Sequence, residues 1–244
     1  MKSIIVFTVH KAASMLLHEL TKWVAGVCRM QFYSINDGTF PEDELRADAR
    51  AFLGKEGCFC PVRYHADVPH IEDYDIILHL RDPRDVMTSA FFSLAYSHVP
   101  VPGRWNPSDA ERQEWIRRGI DWHVLSGADG WLRRYREYCD HILNRSNTVF
   151  VTYEEMVADF ESWLRKYIAP FPLARPERII KKLVRRYRHN FQVDGEDVYR
   201  HKRQVAPGDH KRKLKPETIA ALDEQFKDVL AALGYESLSG SAPC

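Results

Sequence analysis

The chain has 244 residues, 45% of them hydrophobic and 12% aromatic, with a formal net charge of +1. That is enough apolar material for a sizeable core, which excludes a disordered chain, and a length that fits one α/β domain over 1–244. Five irregularly spaced cysteines, Cys28, Cys58, Cys60, Cys139 and Cys244, exclude a disulfide framework and form no zinc half-site, so reduced, mostly buried thiols are expected. The charge is uneven: between Arg175 and Lys215, 14 Lys or Arg stand against five Asp or Glu. Such a block reads as a solvated helix face, a nucleic-acid surface, or the wall of a site for a multiply charged anion. The apolar run after Lys2 is interrupted by His10 and Lys11 and is followed by no cleavage site. No other run approaches the ~20 apolar residues of a membrane span, so a soluble, cytoplasmic protein is expected.

Along the chain, short β-branched or aromatic runs recur with helical stretches between them. Strands are expected at 4–9, 30–35, 58–64, 75–80 and 147–153. Several are apolar throughout, as strands are when helices cover both faces of a parallel sheet. A helix is expected over 14–27, where Leu16, Leu17, Leu20, Trp23, Val24 and Val27 form one stripe. Similar spacing predicts helices over 84–96, 109–124, 130–143 and 154–168. The last, 216–235, has Pro216 at its first position, a stripe of Ile219, Leu222, Phe226, Val229, Leu230 and Leu233, and Gly234 as its stop. The alternation predicts a three-layer α/β sandwich with a central, mostly parallel sheet and helices on both faces. In such sheets ligands bind at the carboxyl ends of the strands. Four of the expected strands run out into Lys11, His65, Arg81 and Tyr153.

Three loops carry charge suited to phosphate. In "VFTVHKAASMLLHEL", 6–20, an apolar strand runs into Lys11, then small residues, then an amphipathic helix. That order is common at phosphate sites, yet the usual glycines are replaced by Ala12, Ala13 and Ser14. In "LHLRDPRDVMTSAFFS", 78–93, Arg81 leaves a strand, Pro83 enforces a turn, and Ser89 lies about one turn into a helix. An Arg and a hydroxyl so placed can grip one phosphate. The same residues also suit a structural Arg–Asp pair at a helix start. In "RHKRQVAPGDHKRKL", 200–214, basic residues flank the turn signature Pro207-Gly208-Asp209. This reads equally as a loop closing on a polyanion and as a solvated surface loop.

Taken in order, "HKAAS", "RDPRDVMTS", "RQVAPGDHK" and the terminal "ALGY" resemble the sulfotransferase family that uses 3′-phosphoadenylyl sulfate (PAPS). The resemblance runs from residue 3 to 236, and its most specific part is Arg81, Pro83, Asp85 and Ser89 at the family's spacing. It implies a P-loop-NTPase-like fold and a set of roles. Backbone amides around Ala12, Ala13, Ser14 and Met15, with the Ser14 hydroxyl, would hold the 5′-phosphosulfate, and Lys11 would neutralise the bridging oxygen as the sulfuryl group departs. Arg81 and Ser89 would bind the 3′-phosphate, assisted by Arg203. "TYEEM", 152–156, would place Tyr153 near the adenine, and Phe191 would stack on it. "RYHADVP", 63–69, stands where the family has Lys-Thr-His, which makes His65 the candidate base and puts Arg63 in the place of the Lys. His70, Asp67 and Glu72 are its neighbours and competitors.

The implied reaction is in-line sulfuryl transfer without a metal, from PAPS to a hydroxyl or amine of a small-molecule, lipid-like or carbohydrate acceptor, leaving 3′-phosphoadenosine 5′-phosphate (PAP). Nucleic acid is not an expected partner. The sequence departs from the family at Met15 and Leu16, where animal cytosolic members have Thr and Trp, and at His210, where Trp is usual. Their dimerisation motif is not recognisable in "KRKLKPET", which leaves the oligomeric state open. Segment 94–131 falls where the family builds acceptor pockets, although Trp115, Trp122 and Trp131 suit a core equally well. Two other classes remain as alternatives. A P-loop nucleotide kinase would need "GxxxxGK[ST]", which is absent. A polyanion- or nucleic-acid-binding module would account for the basic block but not for Lys11, Arg81 and Ser89.

Overall fold

The computed structural model describes residues 2–34, 36, 55–97, 106–191 and 205–235. The chain divides into two compact units: one contains the chain up to Arg81 together with Asp140–His189, the other Asp82–Cys139 together with the chain from Asn190 onward.

The first unit holds the sheet. Its strands are β1 (Ser3–Thr8), β2 (Phe32–Tyr33), β3 (Cys58–Val62), β4 (Tyr74–Leu80) and β5 (Thr148–Thr152). Each of the five expected strands forms. They lie in the order β2-β3-β1-β4-β5, and every pairing is parallel. Ile4, Ile5, Val6 and Phe7 of β1 are all fully buried, which is why this strand reads as an unbroken apolar run. With β3 on one side of β1 and β4 on the other, the connections leave the carboxyl end of β1 in a topological switch point, the usual ligand position in open α/β sheets. The chain thus has the α/β architecture with a central parallel sheet that its alternation predicts.

Helix α1 (Ser14–Val27) has the bounds expected of it and packs on β3. Its buried Thr21 hydroxyl meets the Tyr167 hydroxyl at 2.5 Å and accepts from the Cys60 thiol at 3.4 Å. Burial pushes the Cys60 thiol up to about 12, so it stays protonated and packs as a small core residue. Cys28, Cys58, Cys60 and Cys139 are all free thiols, while Cys244 lies outside the described residues.

The expected helix over 154–168 is two helices, α5 (Tyr153–Ala158) and α6 (Phe160–Tyr167). The break is Asp159, whose carboxylate accepts from the Ser162 amide and hydroxyl and so caps α6, a local bond that competes with helix continuation. Helix α7 (Pro176–Tyr187) is not among the expected elements. It accounts for the first half of the basic block: Ile180, Leu183 and Tyr187 are buried, while Arg178, Lys181, Lys182, Arg185 and Arg186 are exposed. There the block is a solvated helix face.

The second unit is helical. Helix α2 (Pro83–Phe92) starts one residue before its expected position. Helices α3 (Asp109–Arg118) and α4 (Ile120–Tyr138) replace the expected 109–124 and 130–143. Gly119, at φ 83°, ends the first, and Gly127 and Gly130 are carried inside the second because Val124, Ala128, Leu132 and Tyr135 of α4 are buried. Tertiary burial outweighs the roughly 1 kcal/mol that each interior glycine costs. Helix α8 (Asp209–Lys213) forms inside the stretch expected to be a loop. The last expected helix is interrupted at Phe226 into α9 (Pro216–Gln225) and α10 (Lys227–Leu233), and Gly234, at φ 76°, is its stop as expected.

Candidate active site

In the first unit the turn between β1 and α1 replaces glycine chemistry with strained backbone. Lys11 and Ala13 both adopt left-handed conformations, at φ 66° and 58°, where a residue with a Cβ costs roughly 1–2 kcal/mol. Strain of this kind persists where the surrounding structure fixes it and clusters at functional sites. Its result here is that α1 begins abruptly at Ser14 with no side-chain cap and no acidic residue in its first turn. The helix amides therefore keep an anion-compatible end at the carboxyl edge of the central strand.

Two arginines frame the turn. Arg63, just beyond β3 and buried, donates from Nε to Ser14 Oγ at 3.1 Å and from Nη2 to Asn36 Oδ1 at 2.9 Å. Arg81, just beyond β4 and buried, donates to the Lys11 carbonyl at 3.0 Å. Its guanidinium also lies 4.3 Å from the centroid of the Tyr153 ring. Lys11, Ala12, Ala13, Ser14, Met15, Arg81 and Tyr153 are thus brought together in one unit, with Met15 exposed on the first turn of α1. Tyr153 is buried, and its ring carries the Arg81 guanidinium. His65 stacks on His141, with ring centroids 4.9 Å apart, and its Nε2 lies 3.9 Å from Asp67.

Sequence reasoning gave no role to His79, which lies on β4 two residues before Arg81. It is fully buried and meets Trp163 edge-on at 5.5 Å. Burial pushes its imidazole down to about 3, with the Ala12 backbone and Glu155 acting weakly the other way. The ring is therefore neutral in the fold, whereas in the unfolded chain it protonates near pH 6.5. Its stabilisation is complete above that pH and is lost as pH falls toward 3. In urea unfolding between about pH 6.5 and pH 5, the wild type is expected to lose roughly 2 kcal/mol more than His79→Leu. Parallel pH dependences for the two proteins would contradict a neutral, buried His79.

In the second unit the "DPRD" segment, 82–85, distributes its charges. Asp82 caps α2 by accepting from the Arg84 amide at 2.9 Å, and its carboxylate also takes two bonds from the Arg84 guanidinium. Arg84 in turn pairs with Asp223 on α9. Asp85, fully buried, accepts from the Gly208 amide at 2.7 Å, the His210 amide at 3.0 Å and His210 Nδ1 at 2.6 Å. His210, at the position where the resemblance implies Trp, is therefore a polar anchor of the Pro207-Gly208-Asp209 turn, whose Gly208 takes φ 80°. Ser89 is half-buried on α2, and Phe191 closes a short 3₁₀ turn from Arg188. Arg203 lies outside the described residues, as do 98–105 of the expected acceptor segment. Within that segment Arg118 covers the Trp122 ring at 4.3 Å, and Trp115 meets His123 at 5.2 Å.

The sulfotransferase domain model matches residues 70–234, a span that includes Arg81, Ser89 and the Gly208 turn and begins after the Lys11 turn and His65. Among solved structures the chain is similar to mouse sulfotransferase SULT7A1 complexed with PAP. The two share 17% identity and a TM-score of 0.65 over 94% of this chain and 84% of that one. It is also similar to retinol dehydratase in complex with androsterone and the inactive cofactor PAP, at 15% identity and a TM-score of 0.50 over 97% and 83% of the two chains. At these identities the likeness is one of fold. A comparison with curated proteins gives no match. Among the described residues, no helix is long and apolar enough to cross a membrane.

Proposed function

Given that this chain belongs to the sulfotransferase domain family, we propose that it moves a sulfuryl group from PAPS to a hydroxyl or amine of a small-molecule or carbohydrate acceptor. The observation that carries the reading is the β1–α1 turn: an uncapped helix start, two left-handed residues, and Arg81 hydrogen-bonded to the Lys11 carbonyl. The neighbours solved with PAP and with androsterone support the nucleotide and an apolar alcohol as substrate classes.

In this reading the amides of Ser14 and Met15 receive the 5′-phosphosulfate, and Arg63 holds the Ser14 hydroxyl toward it. Arg81 is the 3′-phosphate ligand, positioned by the Lys11 carbonyl and the face of Tyr153. The resemblance adds Ser89 and Arg203 to the 3′-phosphate and Phe191 to the base. Transfer is an in-line displacement in which the acceptor oxygen bonds to sulfur as the bond from sulfur to the bridging phosphate oxygen breaks. Positioning and charge neutralisation supply most of the catalysis in such reactions. Lys11 neutralises the phosphate oxygen that receives the electron pair. The resemblance assigns the acceptor's proton to His65.

Calorimetry with PAP against ATP tests the reading. PAP is expected to bind at least about tenfold more tightly than ATP, since a charged hydrogen bond to the 3′-phosphate contributes roughly 1.5–3 kcal/mol. Arg81→Ala should erase that preference while leaving the melting transition in place. Equal affinity of the wild type for the two nucleotides would sink the assignment.

A further inference from the structure

We infer that helix α7 and the adjoining end of α1 form a docking face for an anionic phospholipid membrane, on which the protein lies without crossing it. Docking of this kind goes beyond the sulfuryl-transfer reading and is independent of it.

Helix α7 has 12 residues and is therefore about 18 Å long. Ile180, Leu183 and Tyr187 are buried in the first unit, which fixes the side that α7 turns outward. On that side Arg178, Lys181, Lys182, Arg185 and Arg186 are all exposed. At 3.6 residues per turn they spread over roughly 140° of the helix, a broad face and not a single ridge. Arg175 before the helix and Arg188 after it are exposed too and lengthen the face. The acid on α7, Glu177, is taken by both Nη atoms of Arg165, at 2.5 and 2.9 Å. Glu19 of α1 is felt at the far end, where burial and its charge raise the Tyr187 phenol against the pull of Arg186. A strong excess of positive charge remains. Clusters of about four to eight Lys or Arg on an amphipathic helix are suited to anionic lipid headgroups.

The neighbouring end of α1 decides the kind of anion. Lys182 lies over the Trp23 ring, 4.9 Å from its centroid. One turn further along α1, Val27 is 44% exposed, and residues four apart share a helix face. Lys22 and Arg29 beside them are exposed. An apolar pair thus stands among the cations. A nucleic-acid backbone offers phosphates to the cations and nothing to an exposed valine. A bilayer interface takes both, with headgroup phosphates for Lys and Arg and the acyl boundary for the indole and the valine. The aromatic ring on α7 itself, Tyr187, is buried, so no base can stack on that helix.

The mode of docking follows from what α7 has already buried. Its apolar side is packed inward, so the helix can rest on the headgroups but not sink among the chains. Charge therefore supplies most of the attraction, at about a fivefold gain in partitioning for each Lys or Arg near the surface. Trp23 and Val27 add a smaller apolar contribution. None of these residues belongs to the β1–α1 turn. A membrane face also suits one of the acceptor classes proposed above, since an apolar alcohol partitions into the bilayer.

The test is cosedimentation of the full chain with phosphatidylcholine vesicles, either pure or carrying about one third phosphatidylserine. At about 0.15 M salt the wild type should bind the anionic vesicles at least about tenfold more tightly, and the difference should shrink as salt rises. Arg178→Gln with Lys181→Gln and Arg185→Gln keeps good helix formers and removes three charges. It should lower binding by roughly 10²-fold, with PAP affinity and the melting transition unchanged. Val27→Ser should weaken vesicle binding a few-fold. Equal retention of the wild type by both vesicles, or by neither, would overturn the inference. So would a triple variant that binds as the wild type does. Random-sequence duplex DNA that strips the wild type from the vesicles at equal phosphate concentration would overturn it in favour of a nucleic-acid face. Failure of the wild type to prefer PAP over ATP would remove the sulfuryl-transfer reading and leave the docking face standing.

Discussion

Lys11→Met is expected to lower the rate of PAP release from PAPS by roughly 10²–10⁴-fold while changing PAP affinity by no more than about tenfold. The asymmetry follows from when the charge is needed. Negative charge grows on the bridging oxygen only as the S–O bond breaks, so a cation beside it acts mainly in the transition state. Lys11 is suited to that position because its backbone is fixed twice, by the left-handed φ of 66° and by the Arg81 bond to its carbonyl. Methionine keeps the length and removes the charge. Steady-state rates and calorimetry on one preparation decide the point. A parallel loss of affinity and rate would make Lys11 a ground-state ligand only.

Arg84→Met is expected to destabilise the protein by about 3–5 kcal/mol in urea unfolding. Arg84 is 2% exposed, Asp82 6% and Asp223 4%, so the substitution leaves two buried carboxylates without their cation. Burial alone would disfavour the guanidinium, but hydrogen bonds and charge from Asp82 and Asp223 more than offset it and hold Arg84 charged. Replacing the whole triad, Arg84→Met with Asp82→Asn and Asp223→Leu, should recover most of the loss. Breaking one partner of a buried pair costs more than replacing all of them with well-packed neutral groups. A loss under about 1 kcal/mol for Arg84→Met would show that water reaches these groups.

The same segment shows how far spacing alone reaches. Arg81, Pro83, Asp85 and Ser89 stand out in the sequence as one motif, with a structural Arg–Asp pair at a helix start as the competing reading. Arg84 with Asp82 is the structural pair, whereas Arg81 turns to the Lys11 carbonyl and the Tyr153 ring. Asp85 proves to be the clamp on Gly208 and His210, a role hidden by the 125 residues between its carboxylate and the His210 ring. Helix α7 is masked in the sequence by its cations, which read as a charge block, although Ile180, Leu183 and Tyr187 repeat at helical spacing beneath them. The reverse holds at 124–130, where spacing predicts a gap between two helices and α4 runs straight through Gly127 and Gly130, carried by its buried face.

What the sequence determined by itself is local: five apolar runs became five strands, the stripe over 14–27 became α1, and Lys11 and Arg81 came to lie at strand ends. These follow from period, turn chemistry and helix signals, which act within a few residues. Only the tertiary structure decided which ends meet. The order β2-β3-β1-β4-β5 puts the ends of β3 and β4 on either side of the Lys11 turn, and no periodicity encodes that order. It brings Tyr64 to His10 across 54 residues, binds Arg63 to Ser14, and stacks His65 on His141. Pairing of distant strands is set by the burial of the whole sheet. The turn between β1 and α1 was therefore legible from its own residues, and the side chains that hold it only from the order of the strands.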